Sequence, residues 1–162
     1  MDSSKKTTEG EPTVSTGAHL LLGRRGEELA AAYLTRQGYK IVAANFALPV
    51  GRNLRGAIVN AEIDLVAYEG ATLCFVEVKT RASDWFAPPQ VNVDLRKRRQ
   101  IARAARAYRR MLGLEDASFR FDVVSVILPG EGEGSLQIEL VRSFWTEESL
   151  RKRRWSESFY YH

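Results

Sequence analysis

The spacing of apolar residues along the chain predicts two helices separated by strands. Apolar side chains recur at helical spacing from Gly23 to Gln37, and Gly38 follows as a signal for a helix end. A second helix is predicted after a cap at Asn92 or Asp94 and before Gly113. The core face predicted for this helix consists of Ile101, Ala104, Ala105, Tyr108 and Leu112.

The apolar runs between and after these helices predict five strands. Glu69-Gly70 between the second and third strands is a short turn, so these two strands are expected to pair antiparallel. The segment Ala47–Asn60 contains one proline and two glycines and is predicted to be a surface loop. The predicted strands are Tyr39–Phe46, Ala61–Tyr68, Ala71–Thr80, Phe119–Leu128 and Leu136–Val141.

This order of elements predicts an α/β fold, in which helices cover the faces of a mixed sheet. A chain of 162 residues fits a single domain, predicted over residues 20–143. We expect a disordered polar leader over residues 1–19 and a basic, aromatic tail over residues 144–162. Packing of the tail aromatics on the body is favoured over stacking on bases.

The composition excludes several classes of protein. Hydrophobic residues make up 44% of the chain, but the longest uncharged stretch is too short to span a bilayer. Cys74 is the single cysteine, so the chain cannot form an internal disulfide or a cysteine-based zinc site, and a cytoplasmic location is expected. His19 and His162 lie in the predicted leader and tail, which argues against a catalytic triad.

Positive charge is concentrated in the second predicted helix. The net charge of the chain is only +4, but residues 91–110 contain eight basic residues and a single acid. Such a stretch predicts a polyanionic partner, most simply nucleic acid, whereas the alternative is a solvated helix face. The candidate nucleic-acid contacts here are Arg96, Lys97, Arg98, Arg99 and Arg103.

A second charged group interrupts two buried strands. Glu77 and Lys79 point to the same face of the third strand, and Asp64 in the preceding strand can approach Glu77 across the hairpin. Two carboxylates, with the backbone carbonyl of Val78, could hold Mg²⁺ or Mn²⁺. Lys79 could then assist an attacking water or stabilise charge on a phosphate, which is the chemistry of a nuclease.

The alternative is a partly buried ion pair between Glu77 and Lys79, with Asp64 hydrogen-bonded to a turn. Two buried carboxylates with one lysine leave negative charge that needs a cation or a raised pKa. The residues alone therefore support both interpretations about equally.

Five blocks of the sequence resemble the bacterial YraN-like family. The blocks, in order along residues 23–128, are Gly23 to Ala30, Tyr33 to Tyr39, Glu62 to Ala67, Phe75 to Arg81, and Arg120 to Val124. The family is similar to Holliday-junction resolvases and to endonucleases of the PD-(D/E)XK type. The resemblance implies a restriction-endonuclease-like core, with a mixed sheet of about five strands, and a Mg²⁺-dependent nuclease site.

The same resemblance implies roles for individual residues. Asp64, Glu77 and Lys79 match the catalytic positions, and Glu27 matches an acidic metal ligand from the first helix; without the resemblance, Glu27 is only a favourable acidic first turn. Arg81 is either a phosphate contact or an ion-pair partner. Related nucleases often dimerise, so a homodimer is possible. Two departures from the family are Ala61 in place of a glycine and a longer segment before it.

The leading functional hypothesis is a metal-dependent nuclease acting on DNA, with branched or structured DNA among the candidate substrates. The alternatives are a non-catalytic nucleic-acid-binding module that retains the fold and an adaptor protein whose tail docks a partner.

Overall fold

The structure, a computed structural model, describes residues 14–82, 92–130 and 134–151. It confirms the predicted α/β class, because a five-stranded mixed sheet lies between two helices. Neither helix combines the length and the apolarity that crossing a membrane would require. The elements in chain order are α1 (Val14–Arg36), β1 (Lys40–Arg52), β2 (Ile58–Glu69), β3 (Thr72–Ala82), α2 (Leu95–Met111), β4 (Phe119–Leu128), β5 (Gln137–Trp145) and a 3₁₀ turn, η1 (Glu148–Leu150).

The sheet has the strand order β1-β2-β3-β4-β5. Neighbouring strands are antiparallel except β3 and β4, which run parallel because α2 crosses between them. The predicted hairpin between β2 and β3 is confirmed, and Gly70 adopts the positive φ of 58° that its tight turn requires.

Each face of the sheet has its own hydrophobic core. Ala30 and Leu34 of α1 pack on one face, where Cys74 and Val76 of β3 also point. α2 packs on the other face, against a cluster that includes Phe75. The predicted two-residue alternation along β3 is therefore confirmed.

The prediction of a surface loop over Ala47–Asn60 is wrong. β1 continues to Arg52 and β2 begins at Ile58, so the segment forms the outer part of a long hairpin. Pro49 does not break β1, because β1 is an edge strand and a missing amide hydrogen is tolerated there. Leu48 and Val50 alternate with exposed residues and pack against the core beneath α2. Composition alone favoured a loop, whereas this packing favours strands.

Other boundaries also differ from prediction. α1 begins at Val14, nine residues before the predicted start, while residues 1–13 of the predicted leader lie outside the described residues. Leu112, predicted in the core, caps the end of α2 and is exposed, because the helix stops at Met111. β5 extends through Trp145, whose ring stacks on Phe121 with centroids 4.8 Å apart.

This stacking confirms that Trp145 packs on the body of the protein. The remaining tail, residues 152–162, lies outside the described residues.

Candidate functional site

The sheet forks between β2 and β3. These strands pair only from Leu65 to Glu69 on β2, whereas the pairing of β2 with β1 continues outward to Ile58. The pairing of β3 with β4 likewise continues to Ala82. Asp64 is the first residue beyond the last β2–β3 pair, and the Val78 amide donates a hydrogen bond of 2.7 Å to its Oδ2 atom. The Asp64 carboxylate therefore lies in the opening of the fork.

Side-chain alternation along β2 breaks at this point. Ile63 and Val66 both pack beneath α2, while Leu65 and Ala67 both face α1. A regular strand would place Ile63 and Leu65 on one face. Because the strand is irregular at Asp64, side chains from both faces of the sheet can approach the opening between β2 and β3.

Glu77 occupies the fork from the β3 side and is 4% exposed. The Nζ atoms of Lys79 and Lys97 lie 3.6 and 3.8 Å from its Oε1 atom. Among the described residues, no hydrogen-bond partner reaches its buried Oε2 atom. Glu77 is thus a buried carboxylate with one oxygen left open.

The electrostatics of the fork disfavour an additional negative charge. Burial raises the pKa of Glu77 to about 8, and the Asp64 carboxylate contributes in the same direction, while Lys97 and Lys79 oppose it. The predicted approach of Asp64 to Glu77 is therefore confirmed, and Lys97 adds a second lysine to the single one that the prediction counted. A further cation at the open oxygen would favour the ionised carboxylate.

Glu27 approaches the fork from α1. Burial raises the pKa of Glu27, with a further contribution from Asp64. In the amide orientation that satisfies both contacts, Asn45 donates 3.0 Å hydrogen bonds to Glu27 and to Glu62. α1 can come this close to β3 because Gly26 has no side chain. A Cβ atom at this position would overlap the Thr80 hydroxyl of β3.

The donors at the fork partly fit the Mg²⁺ or Mn²⁺ that the resemblance implies. Asp64 and Glu77 offer the hard carboxylate oxygens that these ions prefer, and the open Glu77 Oε2 lacks a partner. The described ranges contain no group of three or more Asp, Glu, His or Cys side chains arranged to hold a metal ion. Asp64 and Glu77 therefore fit as two protein ligands, whereas Glu27 does not complete a set with them in this conformation.

The predicted nucleic-acid contacts divide into four groups. Lys97 faces the fork and pairs with Glu77. Arg98 instead donates to the Val93 carbonyl at 2.6 Å and places its guanidinium 5.1 Å from the centre of the Phe144 ring. Arg81 lies half-buried at the end of β3. The remaining three, which are exposed on α2, are Arg96, Arg99 and Arg103.

Sequence reasoning missed Asn45 and the role of Gly26. Asn45 has a positive φ of 50°, which asparagine tolerates better than most residues, but its position within an apolar run gave no signal of a site. Gly26 stood in a recognisable block, yet its close contact with β3 depends on how α1 crosses the sheet. Helix–sheet distances of this kind have no local sequence signature.

Comparisons with known proteins place the chain among proteins named only as a family. Residues 26–126 match the model of "Uncharacterised protein family UPF0102". A UPF0102 protein of Solibacter usitatus is 46% identical over 120 residues, covering 74% of this chain and 82% of the relative.

Two further relatives agree with this match. A UPF0102 protein of Geobacter sulfurreducens is 44% identical over 117 residues, covering 71% of this chain and 84% of its own. A relative in Chlorobium chlorochromatii is 40% identical over 131 residues, covering 78% and 93%. The family-model match includes Glu27, the fork and the whole of α2.

Proposed function

Because this chain belongs to protein family UPF0102, the YraN family that its motifs resemble, and the family name assigns no activity, we propose a function from the site itself: a metal-dependent nuclease that hydrolyses DNA phosphodiester bonds. The observation that carries the proposal is the pair of carboxylates in the fork. Asp64 and Glu77 share a buried opening with two lysines, and one Glu77 oxygen has no partner among the described residues. Buried polar atoms are rarely left without a partner, and a bound cation would satisfy this one.

Asp64 and Glu77 would hold the divalent cation. Such an ion supplies Lewis-acid polarisation of the phosphodiester. The Val78 amide fixes the Asp64 carboxylate by its hydrogen bond, so one metal ligand is preorganised by the backbone of β3.

The two lysines would act on the phosphate. Lys79 is half-exposed, and its ammonium group can turn from Glu77 toward a phosphate oxygen, where it stabilises the charge that develops in the transition state. Lys97 approaches from α2 and can bind a neighbouring non-bridging oxygen. Both lysines would then exchange a carboxylate partner for a phosphate partner when substrate binds.

A non-catalytic nucleic-acid-binding module is the second candidate. The observation that favours it is that no set of three metal-ligating side chains is grouped within the described ranges. Such a module would bind DNA through the basic face of α2 without cleaving it.

A cleavage assay separates these functions. The purified protein is incubated with labelled duplex, single-stranded, flap and four-way-junction DNA in Mg²⁺, Mn²⁺ or EDTA. We expect cleavage of at least one substrate with metal and none in EDTA. Asp64→Asn and Lys79→Ala should each lower the rate by about 10²-fold or more, because each removes a group that acts on the transition state.

Matched controls are available on the surface. Asp116→Asn makes the same change as Asp64→Asn at an exposed loop position, and Lys40→Ala does so for Lys79→Ala at the start of β1. Both controls should cleave at the wild-type rate. In a direct Mn²⁺ titration, Asp64→Asn should lose most of the affinity for the ion. Binding of DNA without cleavage would favour the second candidate, and undiminished cleavage by Asp64→Asn would contradict the proposed site.

A further inference from the structure

The outer part of the β1–β2 hairpin, residues 48–59, forms one arm of the fork. β2 pairs with β3 only from Leu65 onward, so the arm is paired only with itself along its length. A groove of about 290 Å³ lies between the arm and the exposed face of α2. The residues that line this groove are Val50, Gly51, Arg52, Asn53, Val59, Arg96, Arg99, Gln100 and Arg103.

The charge of the groove is uniformly positive. Four of its lining residues are arginines, and none is an acid. Within the described ranges, Arg96, Arg99 and Arg103 make no ion pair, in contrast to Arg106 and Arg109 further along α2, which both pair with Glu147. Uncompensated guanidinium groups on both walls favour a polyanionic occupant.

The tip of the arm is held by its own hydrogen bonds. The Asn53 side-chain oxygen accepts from the amides of Arg55 and Ala57, each at 3.0 Å. One nitrogen of Arg52 donates to the Gly56 carbonyl at 2.7 Å. An arm that is ordered in this way loses little conformational entropy when a ligand fills the groove.

The dimensions of the groove match one strand of a nucleic-acid backbone. Arg96 and Arg103 are seven residues apart on α2, which corresponds to about 10.5 Å along a helix axis. One strand of duplex DNA carries a phosphate about every 3.4 Å along the duplex axis, so this distance spans about three phosphate spacings. Because Lys97 contacts Glu77, the groove begins within one helical turn of the fork.

We propose that one strand of a DNA duplex binds in this groove between the arm and α2. Arg52 on the arm and Arg96, Arg99 and Arg103 on α2 contact successive phosphates beside the fork. The inference rests on the proposed nucleic-acid substrate and deepens it, because it assigns the arm as a second wall of the binding surface.

Salt-dependent binding tests this assignment. Anisotropy of a labelled 20-base-pair duplex is measured in EDTA between 50 and 200 mM salt, so that binding is observed without turnover. Arg52→Gln and Arg103→Gln should each reduce the log–log salt slope by about 0.9 and weaken binding about five- to tenfold at low salt. The double variant should reduce the slope by about 1.8.

Two controls complete the experiment. Arg36→Gln removes the same charge from α1, on the opposite face of the sheet, and should bind as the wild type does. Arg52→Lys keeps the charge on the arm and should keep the salt slope. An Arg52→Gln slope equal to that of the wild type would overturn the proposal, as would equal losses in Arg52→Gln and Arg36→Gln.

The result is independent of catalysis. If no DNA is cleaved but the variants change the salt slope as expected, the proposed nuclease activity is rejected and the binding groove is retained. If DNA is cleaved with metal but the Arg52→Gln slope equals that of the wild type, the groove is rejected and the nuclease activity is retained.

Discussion

Two buried carboxylates on the neighbouring strands β3 and β4 have opposite surroundings, although they lie only one register position apart. Asp122 in β4 is 0% exposed and accepts hydrogen bonds from Arg120 at 2.9 and 3.0 Å and from the Ser143 amide at 2.9 Å. Glu77 in β3 is almost as buried, but its lysines lie 3.6 and 3.8 Å away and only on one oxygen. Burial alone therefore does not distinguish the two acids, whereas the hydrogen bonds that each carboxylate accepts do.

The groups around each carboxylate show the same contrast. Arg120 also pairs with Glu69, and Arg142 donates to that Glu69 carboxylate at 3.0 Å. Hydrogen bonds from Arg142 and neighbouring groups lower the pKa of Glu69 to about 2, whereas burial raises that of Glu77 to about 8. The first cluster stabilises its negative charges as it stands, and the second needs another cation to do so.

The largest effect should come from breaking the saturated cluster. Asp122→Asn removes a fully buried charge and leaves Arg120 with a weaker partner, so we expect a loss of about 3–5 kcal/mol in the free energy of unfolding. Urea denaturation at neutral pH measures the change, with exposed Asp116→Asn as the control. A loss below about 1 kcal/mol would show that the Asp122 network is not the structural element we describe.

The sequence predicted this contrast only in part. Alternation placed Glu77 and Lys79 on one face of β3, and the Glu69-Gly70 turn brought Asp64 opposite, because both rules depend on near neighbours along the chain. Lys97 was predicted as a nucleic-acid contact, and neither its ion pair with Glu77 nor the contacts of Asn45 could be read from the sequence. These depend on how α2 and β1 pack, which is set by the whole core rather than by local pattern.

A smaller effect should follow from moving α1 away from the fork. Gly26→Ala places a methyl group against Thr80, and overpacking of this kind costs about 1–3 kcal/mol. Gly23→Ala, three residues earlier with open space around it, should be neutral or stabilising by up to about 1 kcal/mol. Urea denaturation of the pair measures the difference. Equal stabilities would mean that α1 does not approach β3 as closely as described.

The pH dependence of stability should distinguish Glu69 from an ordinary surface acid. Because its pKa is lower in the folded protein than the usual 4.5, its stabilising contribution is present above that value and is lost as the pH falls toward 2. The melting temperatures of the wild type and Glu69→Gln should therefore differ at pH 7, draw closer below about pH 4.5 and converge only near pH 2. A constant difference across this range would contradict the ion-pair assignment, and exposed Glu115→Gln serves as the control.

The smallest effect on stability should come from the site itself. Glu77→Met replaces a buried carboxylate by an unbranched apolar side chain, which removes the unpartnered oxygen, while Lys79 and Lys97 are exposed enough to turn toward water. Since leaving a buried polar group unsatisfied costs about 1–3 kcal/mol, the free energy of unfolding should stay level or rise by up to that amount. The same variant should lose DNA cleavage. A destabilisation comparable to that of Asp122→Asn would instead show that Glu77 is held as a structural ion pair, and the contrast between the two carboxylates would no longer support a functional role for the fork.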